Sequence, residues 1–495
     1  MKTVLGIDLG TQSLKVLFYD FAAREVVACE SAALDLYQND EGAAEQQAHW
    51  WIDALHEALG KVDSSVRASA LAVGVSGQQH GFVPMGKTGE VLAPVKLWCD
   101  TSTVAECGEI MDAFGGGQKC LDEVGNLILP GYTASKVRWL ANTSTALYEQ
   151  MECILLPHDY LNFYLTGEKC MEAGDASGTG FLDIRQRAWS EQMLAATDPD
   201  RDLGECLPFL RTGMDRIGAL RPEIAERTGL PAGIPVSTGG GDNMMGAVGT
   251  GNVQPGRVTM SLGTSGTVYA CSNEPVIDPR GEIAAFCSST GGWLPLMCTM
   301  NCTVTTEKMR GLLGADIAAF ESQVSRAPRG AEGVLTLPFF NGERTPNLPR
   351  ARACIIGLDG QNTRPENLLR SALEGATFAL RYGTDRLVDL GIDASEIVLT
   401  GGGVGSATWR QVVADVCHAP VTVFEQDEGA SFGAALQALC ILEGGSSDDL
   451  VNLASEHLSR DEPLCCEPDR LAVSEYQEFY EAYQEAVSAV TPLYS

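Results

Sequence analysis

The chain opens on an apolar run, Thr3 to Leu9, followed by a polar turn, Gly10-Thr11-Gln12-Ser13, and a second apolar run, Leu14 to Tyr19. Two short β-rich runs around a turn of glycine and hydroxyl residues predict a hairpin. The same pattern returns far downstream, where Arg257 to Leu262 leads into Gly263-Thr264-Ser265-Gly266 and then Thr267 to Cys271. The copies share Leu9-Gly10-Thr11 and Leu262-Gly263-Thr264, and they divide the chain into two similar halves. We read two domains of related build, residues 1–250 and 251–495, joined near Gly249 to Gly256. A duplicated pair of this kind binds its ligand between the copies, where a domain interface supplies a concave site.

Within each half, strand and helix patterns alternate. Ala48 to Leu59 places Trp51, Leu55 and Leu59 on one helical face, and Ala70 to Val75 is a buried strand ending at Ser76-Gly77. In the second half Thr363-Arg364-Pro365-Glu366 reads as a capping box ahead of a helix carrying Leu369, Leu373, Ala376, Leu380, Leu387 and Leu390. A strand at Glu396 to Leu399 runs into Gly401-Gly402-Gly403, and Ser406 caps a helix with Trp409, Val412, Val413 and Val416 inward. Val421 to Phe424 reads as a strand and Gly429 to Leu442 as a helix, so the class is mixed α/β.

Composition narrows the function. Lysine plus arginine total 34 against 65 acidic residues, a formal charge of −31. That balance excludes a general nucleic-acid binder, which needs a cationic footprint to displace counterions from phosphate. The sixteen cysteines are scattered without a CxxC pair, which fits reduced core thiols in a cytoplasmic protein better than a disulfide framework or a zinc site. The first apolar stretch is cut by Asp8, too short for a secretory signal, and no uncharged run has the length of a membrane span.

Glycine, 54 of 495 residues, exceeds the usual share of about 7% and gathers where strands end. Such ends let backbone N–H groups approach phosphate oxygens, and Thr11, Ser13, Thr264 and Ser265 add hydroxyl donors. Neither a GxxxxGK[ST] element nor a correctly placed GxGxxG is present, which argues against a P-loop or dinucleotide fold. Asp8 closes the first strand, where the second copy has Ser261, and Asp242 follows Gly239-Gly240-Gly241 at a helix start. Asp242 reads either as a plain helix cap or as a base facing the cleft between the halves. Phosphoryl transfer needs these parts: loops for phosphates, magnesium to spread charge, and a carboxylate to receive a hydroxyl proton. An actin-like ATPase would use the same loops, so a second substrate requires further polar residues. Gln78, Gln79 and His80 after a buried strand, and Lys96 with Trp98 and Asp100, supply candidates for binding a sugar.

Together these segments resemble the FGGY family of carbohydrate kinases, in motif detail its D-xylulose kinases. The matching stretches include Gly6 to Thr11, Gly77 to Gly81, Leu97 to Asp100, Pro130 to Lys136, Leu156 to Leu161, Gly239 to Asn243, Ser261 to Gly266, Gly342 to Pro346 and Gly401 to Gly403. The resemblance implies two actin-like, ribonuclease-H-like domains with ATP and sugar in the cleft between them. It implies that Asp242 is the general base and that Asp8 positions Mg2+ and the phosphates. It places Thr11, Gln12, Ser13 and Lys15 at one phosphate loop, Gly263 and Thr264 at the other, and Gly401, Gly402 and Gly403 at the adenosine. Gln79, His80, Trp98, Asp242 and Asn243 would face the sugar. The expected reaction is ATP-dependent phosphorylation of a ketopentose, D-xylulose to D-xylulose 5-phosphate; D-ribulose, L-xylulose and D-arabitol are the alternatives, with a non-catalytic actin-like ATPase beyond them. A homodimer is compatible with the sequence.

Two positions depart from the family pattern. Gln79 stands where xylulose kinases usually carry methionine, and Cys99 where they usually carry asparagine. An amide in place of a thioether changes which hydroxyls a site can pair.

Overall fold

The computed structural model describes residues 1–426 and 428–494 and builds both predicted hairpins into the centres of two sheets of one design. In the first, β1 (Thr3–Leu9) and β2 (Ser13–Asp20) form the hairpin, β3 (Glu25–Ala33) extends it antiparallel, and β4 (Ala70–Gly77) lies parallel to β1. With β5 (Arg216–Ala219), β6 (Pro235–Ser237) and the short β7 (Gly240–Gly241), which also pairs with β4, the seven-stranded sheet runs β5-β6-β4-β1-β2-β3. In the second, β8 (Arg257–Leu262) and β9 (Gly266–Ala270) form the hairpin, β10 (Leu296–Cys298) is antiparallel to β9, and β11 (Glu396–Thr400) and β12 (Val421–Thr422) continue in parallel. Its order, β10-β9-β8-β11-β12, repeats β3-β2-β1-β4-β6 strand for strand and sense for sense.

Helices complete each crossover. α1 (Ala48–Lys61) buries Trp51, Leu55 and Leu59 on the first sheet, as its spacing predicts. α2 (Thr133–Thr143), α3 (Pro157–Thr166) and the short α4 (Ala173–Ala176) bring polar side chains back to the strand ends, and α5 (Asp242–Gly249) follows β7 directly. α6 (Pro365–Asp389) feeds β11 and α7 (Ala407–Cys417) feeds β12; Ser406 caps α7, its Oγ accepting Trp409 N–H at 3.1 Å. The capping box expected at Thr363 does not form. The N-cap is Arg364, Thr363 Oγ1 turns back to the Asp359 carbonyl, and Pro365 at the first helical position starts α6 through its fixed φ. The strand expected over Val421 to Phe424 ends at Thr422, with Phe424 making only an isolated bridge to Arg460.

α8 (Gly429–Glu443) is apolar on every side, the pattern of a helix buried all round. It leaves the second half and lies on the first sheet. Gly6 of β1 and Gly74 of β4 are partners in register, and a Cβ on either would stand 1.8 Å from the Ser431 carbonyl oxygen or 2.0 Å from that of Ala434. α5 packs on α8 as closely, since a Cβ on Gly433 would meet the Met245 carbonyl oxygen at 1.8 Å. Backbone on backbone, these contacts lock the helix that begins with Asp242 to both halves. No helix among the described residues is long and apolar enough to cross a membrane.

Candidate active site

β1, β4 and β7 run parallel, so their carboxyl ends deliver Asp8, Ser76 and Gly240 side by side, with Asp8 and Gly240 both paired to Ser76. Loops diverge at such ends, and ligands collect there. Ser76 Oγ donates to Asp8 Oδ1 at 2.8 Å. Burial pushes the Asp8 carboxyl up, partly offset by that bond and by Lys15. β4 continues into Gln78, whose side chain pins the first hairpin turn. Thr11 Oγ1 donates to Gln78 Oε1 at 3.1 Å and accepts Trp98 Nε1–H at 2.9 Å, so one hydroxyl ties the turn to the aromatic wall. Thr11 and Ser13 are partly exposed and Gln12 is exposed.

Asp242 is the first residue of α5, and the N-cap is Gly241, so the helix-cap reading fails. Instead Asp242 Oδ1 accepts the Asn243 backbone N–H at 2.8 Å and Asn243 Nδ2–H at 3.0 Å, while no group of the described residues donates to Oδ2. Burial, then the nearby Asp8 and Asp175 carboxylates, raise its pKa to about 8. Asn243 Nδ2 also donates to Gln79 Oε1 at 2.9 Å. A carboxyl held near neutrality with one oxygen open is suited to taking a proton from a hydroxyl.

His80 follows with φ of +64°, a left-handed conformation rare outside glycine. Its carbonyl accepts Lys136 Nζ at 2.7 Å and Thr133 Oγ1 at 3.1 Å, both from α2, which hold it there. Its ring stands 4.9 Å from Tyr132 and 5.7 Å from Phe286, the latter from the second half. Burial, then Lys136 and Arg344, keep it well below the usual histidine range, a neutral imidazole. Burial likewise lowers Lys136 to about 7.

Lys15, expected at the phosphate loop, lies opposite Asp8 in register and forms an ion pair with Glu428 at the start of α8. Burial works to lower Lys15, but Glu428 outweighs it and the pKa is raised. In the second half, the turn carrying Gly263 and exposed Thr264 receives N–H bonds from Thr303 at 2.9 Å and Cys302 at 3.0 Å on its carbonyls, and Gly266 N–H donates to Thr299 Oγ1 at 3.1 Å. Gly401, at φ +88°, lies against it, a Cβ there falling 2.9 Å from the Leu262 carbonyl carbon. Gly402 faces open space and Gly403 is buried against Leu262 and Trp409. Asp100 is not open to a ligand. It is fully buried, accepting Lys96 Nζ at 3.0 Å and Ala44 N–H at 2.9 Å, whereas Trp98 and Cys99 are partly exposed.

Two contributors, Asp175 and Arg344, have no role in the sequence reading, and Gln78, read there as a sugar candidate, binds the first hairpin turn instead. Gln78 acts through the β1–β4 register. Asp175 on α4 raises Asp242 and is held by His158 Nδ1 on α3 at 2.6 Å, in a buried group with Asp159 and Glu172. Arg344 has no ion pair among the described residues, and its positive field reaches His80, Tyr132 and Cys99. The motif Gly342 to Pro346 was the only signal for it.

Comparison with known proteins agrees with this arrangement. The profile of the FGGY family of carbohydrate kinases matches with its N-terminal domain over residues 3–249 and with its C-terminal domain over 258–441. A xylulose kinase of Haemophilus influenzae is 41% identical over 97% of this chain and 98% of its own length. One from Escherichia coli K12 is 34% identical over 99% of each. The crystal structure of a xyloylose kinase from Brucella ovis, 30% identical, superposes with a TM-score of 0.91 over 99% of this chain and 100% of that one. With two sheets of one strand order, a carboxyl of raised pKa at their junction and matches of this length, the chain belongs to the FGGY family of carbohydrate kinases, enzymes that use ATP.

Proposed function

We propose that this kinase transfers the γ-phosphoryl group of ATP to the terminal hydroxyl of D-xylulose, giving D-xylulose 5-phosphate. The observation that carries the chemistry is Asp242, one oxygen committed to Asn243 and the other open; the choice of ketose rests on the relatives that act on xylulose. Asp242 Oδ2 takes the hydroxyl proton as the sugar oxygen bonds to the γ-phosphorus. The bond from that phosphorus to the β–γ bridging oxygen breaks, and ADP leaves. Thr11, Gln12 and Ser13 on one turn, with Gly263 and Thr264 on the other, hold phosphate oxygens, and Lys15 adds positive charge beside Asp8. Gly401, Gly402 and Gly403 form a bed without side chains for the adenosine. Gln79, His80, Trp98 and Asn243 border the sugar, and closure of the halves excludes water that would compete as acceptor.

Mg2+ would be held by Asp8 and the phosphates. Asp8 Oδ1 takes the Ser76 bond and its other oxygen has no partner among the described residues, which fits a cation bound through one or two carboxylates plus phosphate and water. No three His, Cys, Asp or Glu among the described residues form a cage by themselves. The ion supplies neutralising charge on the phosphates. Core thiols such as Cys107, Cys120 and Cys302 suit a reducing compartment, the cytoplasm. Incubation with D-xylulose and magnesium-ATP tests the reading: one ADP per sugar and phosphate on C5 support it, and phosphate on another carbon contradicts it.

A further inference from the structure

Asp242 fixes the direction of every amide beside it. Its Oδ1 accepts two N–H bonds from Asn243, at 2.8 and 3.0 Å. A carboxyl oxygen so used carries no proton, so when the group is neutral its proton sits on Oδ2. Asn243 must therefore turn its NH2 inward. The second Nδ2 hydrogen goes to Gln79 Oε1 at 2.9 Å, which leaves Gln79 Nε2 facing the Met244 sulfur at 3.3 Å, a weak acceptor. Both Nδ2 hydrogens are then spent, and no donor among the described residues reaches Asn243 Oδ1 or Asp242 Oδ2, on two residues that are partly exposed. Once Asp242 is ionised, as it must be to act as a base, the pair presents two acceptors, and no donor, to the cleft.

Gln79 is the far anchor of this arrangement. It is 4% exposed, and it fits because residue 241 is glycine: a Cβ there would come within 2.7 Å of Gln79 Cγ. Without the Gln79 oxygen, the Asn243 amide keeps one partner out of two and is free to turn its NH2 to the ligand.

We infer that Gln79 is a positioning residue: through Asn243 it keeps two acceptors side by side, and so selects sugars with two neighbouring hydroxyl donors, one reacting at Asp242 and the next held by Asn243. This rests on Asp242 being the base. It also gives the departure at position 79 a different meaning from a direct sugar contact, because its oxygen is occupied within the protein.

The test compares kcat/KM for the preferred ketose with that for its analogue lacking the hydroxyl next to the reacting one, which for D-xylulose is 4-deoxy-D-xylulose. Gln79→Leu and Gln79→Met fill the space without an amide oxygen; Gln79→Glu retains an oxygen acceptor. The parent-to-deoxy ratio should fall about tenfold in the first two, the worth of one hydrogen bond, and stay near the unaltered value in the third. An unchanged ratio in Gln79→Leu and Gln79→Met, or an equal fall in Gln79→Glu, overturns the inference. Each ratio is taken within one protein, so a general loss of rate or folded fraction cancels. The identity of the preferred ketose is settled separately on the unaltered enzyme, so the substrate reading and the relay fail independently.

Discussion

Gly6 and Gly74 stand opposite each other on β1 and β4, and together they form the flat bed on which the α8 backbone lies. The first sheet therefore carries a helix supplied by the second half of the chain, and α5 is trapped against that helix. The start of α5 is Asp242, so the position of that carboxyl depends on these two hydrogen atoms.

Gly6→Ala and Gly74→Ala should each cost about 3 kcal/mol or more, because the added methyl meets backbone on a rigid helix instead of a side chain that can move. Urea unfolding midpoints measure this. Gly60→Ala, where a Cβ would meet nothing within 4 Å, is the control and should be neutral or slightly stabilising.

How much of this was legible in the sequence follows from what each feature depends on. The hairpins, α1 and the Ser406 cap were legible because period, turn chemistry and capping are local. The capping box at Thr363 failed because Thr363 has a competing local partner, the Asp359 carbonyl. The pattern of α8 shows that it is buried but not on which sheet; glycines inside two strands were the only hint of a close backbone approach. Asp8 and Asp242 stood out beside glycine-rich strand ends. Asp175 did not, and Gln78 stood out as a sugar candidate while its bond to the hairpin turn did not, since these roles depend on strand register and on packing between α3, α4 and the Gly239 to Gly241 segment.

Replacing Asp242 by asparagine should lower turnover about 10³-fold, within the range for loss of a general base. In the unaltered enzyme kcat/KM for the sugar should rise with pH along a limb near 8, since only the ionised carboxylate accepts a proton. Stability has the opposite sign. A carboxyl raised from 3.8 to about 8 contributes stability that is complete below the lower value and lost as pH rises through the upper one. Asp242→Asn should therefore gain on the parent as pH rises from about 4 to about 8, read as the difference in urea midpoints.

Thr11→Val removes the hydroxyl shared by Gln78 and Trp98. Steady-state kinetics should show KM for both ATP and sugar rising several-fold, about the worth of one or two hydrogen bonds. A change confined to ATP would mean that Trp98 stays in place without this bond.

Lys15 and Glu428 have side chains 27% and 33% exposed, so the ion pair itself contributes at most about 1 kcal/mol. Its weight should fall on the nucleotide. Lys15→Met should raise KM for ATP about tenfold, whereas Glu428→Gln, which frees the ammonium, should leave that KM unchanged or lower it. Both are read from initial rates at saturating sugar.

The central claim, a kinase for D-xylulose, is tested most directly by coupled ADP release with magnesium-ATP across pentuloses, pentitols, hexuloses and glycerol. The account predicts that D-xylulose gives the highest kcat/KM in the panel. A higher value for D-ribulose, L-xylulose or D-arabitol, or ADP release indifferent to sugar, would contradict it.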